Sequence, residues 1–340
     1  MSKSILSRFS VDPYLMALAA MVVVAAVLPA RGTGAVIASW AVTAAIFLLF
    51  FLYGARLAPR AVVESIAHWR LQSMILISTF VLFPIVGFAL TSALHPWLPP
   101  QLAVGLMFVC VLPSTVQSSI AFTSIARGNV PAALCGASMS NIFGMLITPA
   151  LVVLLLSVHG SGFSMKTLED IALQLLLPFC LGQLARPWLG GVIARHRVLT
   201  SSVDRGSILI IVYAAFSASV VQGVWAHMDY GSLALIVVLD ALMLGLVLAI
   251  TTLASRWLAF TKEDEIAIVF CGSKKSMANG LAMAGILFPG QAIGAIVLPL
   301  MIFHQIQLFV CAALAQRYAR RRVEGVTGPV VGPLAKVAGA

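Results

Sequence analysis

Charge is what this chain has least of. Asp, Glu, Lys and Arg together make up 9% of its 340 residues, whereas 61% are hydrophobic. A water-soluble domain carries about 25% charged residues, so the composition excludes one and calls for a lipid bilayer as a partner. Carboxylates are the scarcest of all, 11 against 21 Lys and Arg. The resulting net charge of +10 does not mark a nucleic-acid binder, because no aromatic residues interleave with the basic ones, which sit in short segments between apolar runs. The period-two alternation of an outer-membrane barrel is missing, which leaves helices as the spanning elements. An apolar run follows Lys3 and Arg8 without a small-residue cleavage site, so no cleavable signal peptide is expected. Cys110, Cys135, Cys180, Cys271 and Cys311 stand isolated in apolar segments. Their spacing suits neither zinc nor a disulfide, and they read as buried free thiols. His-Glu-x-x-His, Gly-x-Ser-x-Gly and paired membrane aspartates are also absent. That ranks an intramembrane enzyme on lipid-linked substrate low, and no organic cofactor is implied.

What is present is a series of apolar runs long enough for about ten helices of roughly 20 residues each. The first five fall near residues 13–28, 35–53, 71–94, 101–125 and up to 156. The second five fall near 167–185, 206–225, 232–260, 266–287 and up to 317. Starting from a cytoplasmic N-terminus, ten spans place every Lys and Arg on the cytoplasmic side except Arg31, Lys166, Lys274 and Lys275. That is the bias the positive-inside rule demands, and one missed span would scramble it. Residues 1–10 then form a cytoplasmic N-terminus, 11–322 the membrane domain, and the Gly, Pro and Val-rich 323–340 a disordered cytoplasmic tail.

One stretch organises the rest: Phe270-Cys-Gly-Ser-Lys-Lys-Ser-Met-Ala-Asn-Gly280. It sets two adjacent lysines at membrane depth, where each costs roughly 2.5–3.5 kcal/mol on insertion scales. Gly and Ser around them interrupt a helix rather than continue it. A second interruption, Leu112-Pro-Ser-Thr-Val-Gln-Ser-Ser119, lies in the fourth span. The fourth helix of each five-helix half is thus the broken one, and the halves enter from opposite sides. Paired breaks in inverted halves point to the binding site of a secondary transporter. The fold expected is an all-α polytopic membrane protein with two inverted five-helix repeats.

A break in lipid survives only beside water, ligand or protein, because unpaired backbone groups cost several kcal/mol each. Ser114-Thr-Val-Gln117 fits a capping box, with Ser114 as the cap of the second half-helix. The N-terminus of such a half-helix suits an anion, and the carbonyls ending the half before it suit a cation. Candidate substrate- or ion-binding residues are therefore Ser114, Thr115, Gln117, Ser118 and Ser119 at the first break, and Ser273, Lys274, Lys275, Ser276 and Asn279 at the second. Ser138, Ser140 and Asn141 in span five, His304 and Gln305 in span ten, and Gln72 opening span three add polar groups nearby. Hydroxyl and amide oxygens of this kind could ligate sodium or hydrogen-bond an anion. Other roles remain open at this stage: a serine can bond its own helix, a lysine can snorkel to the interface or bond helix-end carbonyls, and Gln72 can lie at the interface. Asp240, alone among carboxylates well inside a span, could pair a lysine, bind a cation or lie nearer the surface.

Three segments carry a resemblance: residues 112–129, residues 270–280, and Leu298-Pro-Leu-Met-Ile-Phe-His-Gln-Ile-Gln307. In these the chain resembles the bile acid:sodium symporter superfamily, in its SBF-like branch of bacterial transporters. The resemblance implies a panel of spans 1, 2, 6 and 7 and a core of spans 3–5 and 8–10 built around crossed broken helices. It implies a multi-pass protein of the bacterial inner membrane carrying an organic anion with Na+ or H+. One departure matters. In the well-studied branch a glutamate at the ninth-span break helps bind sodium; here that position falls near Ser273, and lysines follow, so the resemblance implies that sodium, if bound, would fall at Ser118, Ser119, Asn141 and Ser273. An ammonium could occupy the cation site or lose its proton and link transport to protons. A regulatory protein that senses ions without moving solute is the alternative.

Overall fold

The computed structural model describes residues 13–56, 68–94, 96–156, 165–223, 230–288 and 291–320. The expected cytoplasmic N-terminus (1–10) and disordered tail (323–340) lie outside them. Among the described residues the secondary structure is helical throughout, without strands. That follows from the solvent, since in a bilayer a helix satisfies its own backbone.

The helices are α1 (Pro13–Val27), α2 (Thr33–Arg56), α3 (Trp69–Ala93), α4 (Pro100–Val111), α5 (Val116–Ile125) and α6 (Val130–Leu156). Then come α7 (Met165–Arg195), α8 (Arg197–Val221), α9 (Tyr230–Trp257), α10 (Lys262–Gly272), α11 (Met277–Leu287) and α12 (Ile293–Ala319). Six of them are long and apolar enough to cross a membrane, or seven spans if α4 and α5, bent by 62° at their break, count as one. The chain is an integral multi-pass membrane protein. Large apolar residues such as Trp40, Leu184 and Trp188 are exposed on its outside, as a bilayer allows.

α7 and α8 extend further than the apolar runs suggest. The stretch between the two runs, which falls in neither, is helical almost throughout, from Arg186 at one end to Asp204 and Arg205 at the other. Hydropathy marks where lipid ends, not where the helix does. The thiol reading also needs one correction: Cys180 on α7 is exposed, while the other four cysteines are buried.

Two glycines set the closest helix approach. A methyl group on Gly54 of α2 would lie 2.1 Å from the Phe179 carbonyl oxygen, and one on Gly182 of α7 would lie 2.0 Å from that of Phe51. α2 and α7 therefore pack backbone to backbone, each glycine facing the other helix. α8 packs against α1 and α2, while α12 packs against α4, α8 and α9.

α3 carries a π-helical turn at Ser78–Leu82. There the Phe83 amide donates to the Ser78 carbonyl, one residue further back than in an α-helix. Pro84 follows and has no amide proton to offer. The Thr79 carbonyl is thereby released from the helix ladder, a feature that π-turns often contribute to functional sites.

Two broken helices bonded at their breaks

α4 ends at Val111, and α5 begins at Val116. Five consecutive carbonyls, from Cys110 to Ser114, leave the helical pattern here, and each finds a partner. Lys275 Nζ donates to Cys110 and Leu112 at 2.7 and 2.8 Å. Thr148 Oγ1 takes Val111 at 2.8 Å, the Ser276 amide takes Pro113 at 2.9 Å, and Asn141 Nδ2 takes Ser114 at 3.0 Å. The second break, between α10 and α11, is answered in the same way. Ser114 Oγ donates to the Cys271 carbonyl at 2.6 Å and Ser119 Oγ to that of Phe270 at 3.1 Å. Gln307 clamps Lys275, accepting from its amide at 2.9 Å and donating to its carbonyl at 3.0 Å. Each break thus supplies what the other lacks, which meets the requirement for irregular backbone at membrane depth.

The capping box expected at Ser114 is not formed. Thr115 occupies the cap position of α5, and its side chain accepts from none of that helix's backbone amides. The Ser114 hydroxyl is directed to α10 instead, and its amide donates to Ser140 Oγ at 3.0 Å. Gln117 accordingly does not reach back but is exposed. At the second break Ser276 does cap α11, accepting from the Asn279 amide at 3.3 Å.

The adjacent lysines have unlike surroundings, though both are fully buried, which rules out snorkelling. Lys275 Nζ meets three carbonyls, the third being that of Thr79 at 2.8 Å, and stands 4.1 Å from the Phe83 ring centroid. An ammonium has three protons to donate, so the group is saturated. Lys274 Nζ has no hydrogen-bond partner and lies 3.7 Å from the Phe122 ring centroid and 5.8 Å from that of Phe270.

Of the remaining candidates, Asn141 bonds the Ser114 carbonyl and accepts a hydrogen bond from Asn279 Nδ2, joining α6 to α11 across the breaks. Ser273 bonds its own helix at Val269, and Ser118 bonds Thr115. His304 Nδ1 meets Gln307 Nε2 at 2.8 Å, one turn along α12. Gln72 is buried rather than interfacial and donates to the Ala132 carbonyl at 3.4 Å, between α3 and α6 and away from the breaks. Ser138 and Gln305 are half-buried. The Thr79 carbonyl, Thr148 and the Phe83 and Phe122 rings escaped the sequence reading. Pro84, which has no amide proton for a carbonyl one helical turn back, was the one available signal.

Asp240 on α9 is fully buried, and neither carboxylate oxygen has a hydrogen-bond partner. It pairs with neither lysine. A buried carboxyl without partners costs stability, so Asp240→Val is expected to stabilise the protein by about 1–2 kcal/mol, read as a higher thermal midpoint. A fall instead would show that the carboxyl has a partner in the membrane-embedded protein.

A cleft of about 890 Å³ opens beside the first break. Its lining includes Arg56 of α2, Gln117 of α5, Arg186 of α7, and Ser201 and Asp204 of α8. Arg56 is ion-paired to Asp204, whereas Arg186, half-buried, has no acidic partner among the described residues. The cleft therefore offers a cation beside an exposed amide side chain in the first turn of a half-helix.

Comparison with known proteins fits this architecture. Residues 12–320 match the SBF-like CPA transporter family. The chain is 51% identical over 316 residues to the Pseudomonas aeruginosa protein PA2026, covering 93% of this chain and 95% of that one. It is 49% identical over 315 residues to YfeH of Escherichia coli, named as a proposed symporter, with 91% and 93% covered. Sodium/bile acid cotransporter 7 of Danio rerio is 26% identical over 278 residues, covering 79% and 81%. The family match takes in both breaks and every candidate residue between Gln72 and Gln305, and on it this chain belongs to the SBF-like CPA transporter family, within the bile acid:sodium symporter superfamily.

Proposed function

We propose that this chain is a secondary active transporter that moves an organic anion across the bacterial inner membrane by alternating access, in symport with Na+ or H+, and that it is not an enzyme. Its spans number ten, with α4–α5 and α10–α11 each counted as one, arranged as inverted halves with both termini cytoplasmic. α1, α2, α7 and α8 form the panel, and α3–α6 with α9–α12 form the core that moves against it. The observation that carries the reading is the cleft: one wall is α2, α7 and α8, the other is the half-helix α5 just beyond its break. Its volume suits a small amphipathic solute. A carboxylate or sulfonate would meet the Arg186 guanidinium and the Gln117 amide there. The names of YfeH and cotransporter 7 support symport, and the latter supports an amphipathic anion.

Binding in the cleft would raise the melting temperature of detergent-purified protein by mass action. Among amphipathic carboxylates and sulfonates, at least one is expected to do so, with affinity falling about tenfold or more in Arg186→Ala as a charged hydrogen bond is lost. Equal shifts from neutral or cationic amphiphiles, or an affinity unchanged in Arg186→Ala, would sink the assignment.

A further inference from the structure

We propose that Lys275 is a tethered cation: its ammonium fills a backbone-carbonyl cage able to hold a monovalent metal ion, so that this position binds no sodium in the native protein. The cage is built from three separate places in the chain. The Thr79 carbonyl is freed by the π-turn and Pro84, the Cys110 carbonyl belongs to the last turn of α4, and the Leu112 carbonyl lies in the break itself. All three point at Lys275 Nζ from 2.7–2.8 Å, the distance of strong charge-assisted bonds. The Phe83 ring, 4.1 Å away at its centroid, closes a further side with its negative face. Convergent neutral oxygens of this kind, taken from a helix end and unwound backbone, are what transporters use to hold sodium.

Two further observations separate a filled ion site from an incidental lysine. Gln307 holds the Lys275 backbone on both sides, through its amide and its carbonyl, so the ammonium is delivered from a fixed point. Lys274, the residue before it and equally buried, meets no carbonyl at all, so burial alone does not generate such a cage. A sodium ion and the Lys275 ammonium cannot share these oxygens, because two like charges would lie within a few ångströms in a low-dielectric interior. The positions expected to ligate sodium lie elsewhere: the Ser119 and Ser273 hydroxyls donate to α10 carbonyls, and Asn141 Oδ1 accepts from Asn279.

The inference deepens the transporter reading by naming what occupies one ion position, and its test requires no transported solute. The thermal midpoint of detergent-purified protein is measured in sodium, potassium, ammonium and N-methylglucamine chloride at constant ionic strength, for the wild type and Lys275→Ala. Any sodium-dependent rise in the wild type, from an ion position elsewhere, is expected to be smaller by several degrees than the rise in Lys275→Ala. Lys275→Ala is expected to melt lower in N-methylglucamine and to recover by several degrees, saturably, when sodium or ammonium enters the vacated cage. A sodium-dependent rise as large in the wild type as in Lys275→Ala would overturn the proposal. So would a folded Lys275→Ala indifferent to every cation. If Lys275→Ala does not fold, Lys275→Ser, whose hydroxyl can bond one carbonyl, takes its place in the same comparison with the wild type, and the same outcome refutes the idea. Because no flux is measured, failure to find a transported anion leaves this outcome standing, and the reverse holds too.

Discussion

Replacing Lys275 with methionine is expected to destabilise the protein by at least about 3 kcal/mol, while the same change at Lys274 shifts stability by less than about 1 kcal/mol. The side chains are neighbours, are equally buried and lose the same charge. They differ in what is left behind. Methionine at 275 conserves volume but orphans the Thr79, Cys110 and Leu112 carbonyls, and each buried unpaired group costs about 1–3 kcal/mol. Methionine at 274 orphans nothing, since Lys274 Nζ has no hydrogen-bond partner. It gives up the contact with the Phe122 ring, worth up to about 2 kcal/mol when desolvated, and removes the cost of keeping an amine from water. Thermal midpoints of the two variants in one detergent decide the matter. Equal losses would mean that charge at the break, not the carbonyl cage, is what stabilises it.

Adding one methyl group to Gly54 or Gly182 is expected to cost about 3 kcal/mol and to force α2 and α7 apart. Overpacking usually costs about 1–3 kcal/mol, and here the upper end applies, because the obstructing atoms are backbone and cannot rotate away. Ala55 and Arg56 follow Gly54 directly, and Arg186 lies one turn beyond Gly182, so the cleft changes shape along with the helix pair. Gly54→Ala should therefore lose anion binding as well as stability. At Gly191, by contrast, nothing lies within 4 Å of an added methyl group, and Gly191→Ala should be tolerated. A Gly54→Ala protein with wild-type melting behaviour would show that these helices approach less closely than described.

The breaks were legible in the sequence because their signals are local: proline after an apolar run, serines in clusters, lysines where lipid should be. Helix content and most helix positions followed from composition for the same reason. What was not legible is partnership. Ser114 has the sequence of a cap, but an amide offered by its own helix competes with an orphan carbonyl on α10, and the buried carbonyl wins. Backbone oxygens leave no mark in a sequence, so the Thr79 contribution to the Lys275 cage was invisible except through Pro84. The lengths of α7 and α8 were underestimated because their basic ends leave the apolar region while remaining helical. Gln72 and Lys275 show the same limit from opposite sides, one placed away from the breaks and the other at their centre by contacts more than fifty residues distant.

Flux separates a transporter from a protein that binds and senses its ligand. Uptake of the best-binding organic anion should be followed in sealed proteoliposomes and in protein-free vesicles, with Gln117→Trp alongside. The account predicts accumulation only where the protein is present. It also predicts loss of uptake in Gln117→Trp, which fills the cleft without disturbing the bonded breaks. Saturable binding of that anion in detergent, with no flux into sealed vesicles, would contradict the account and leave a ligand-sensing membrane protein in its place.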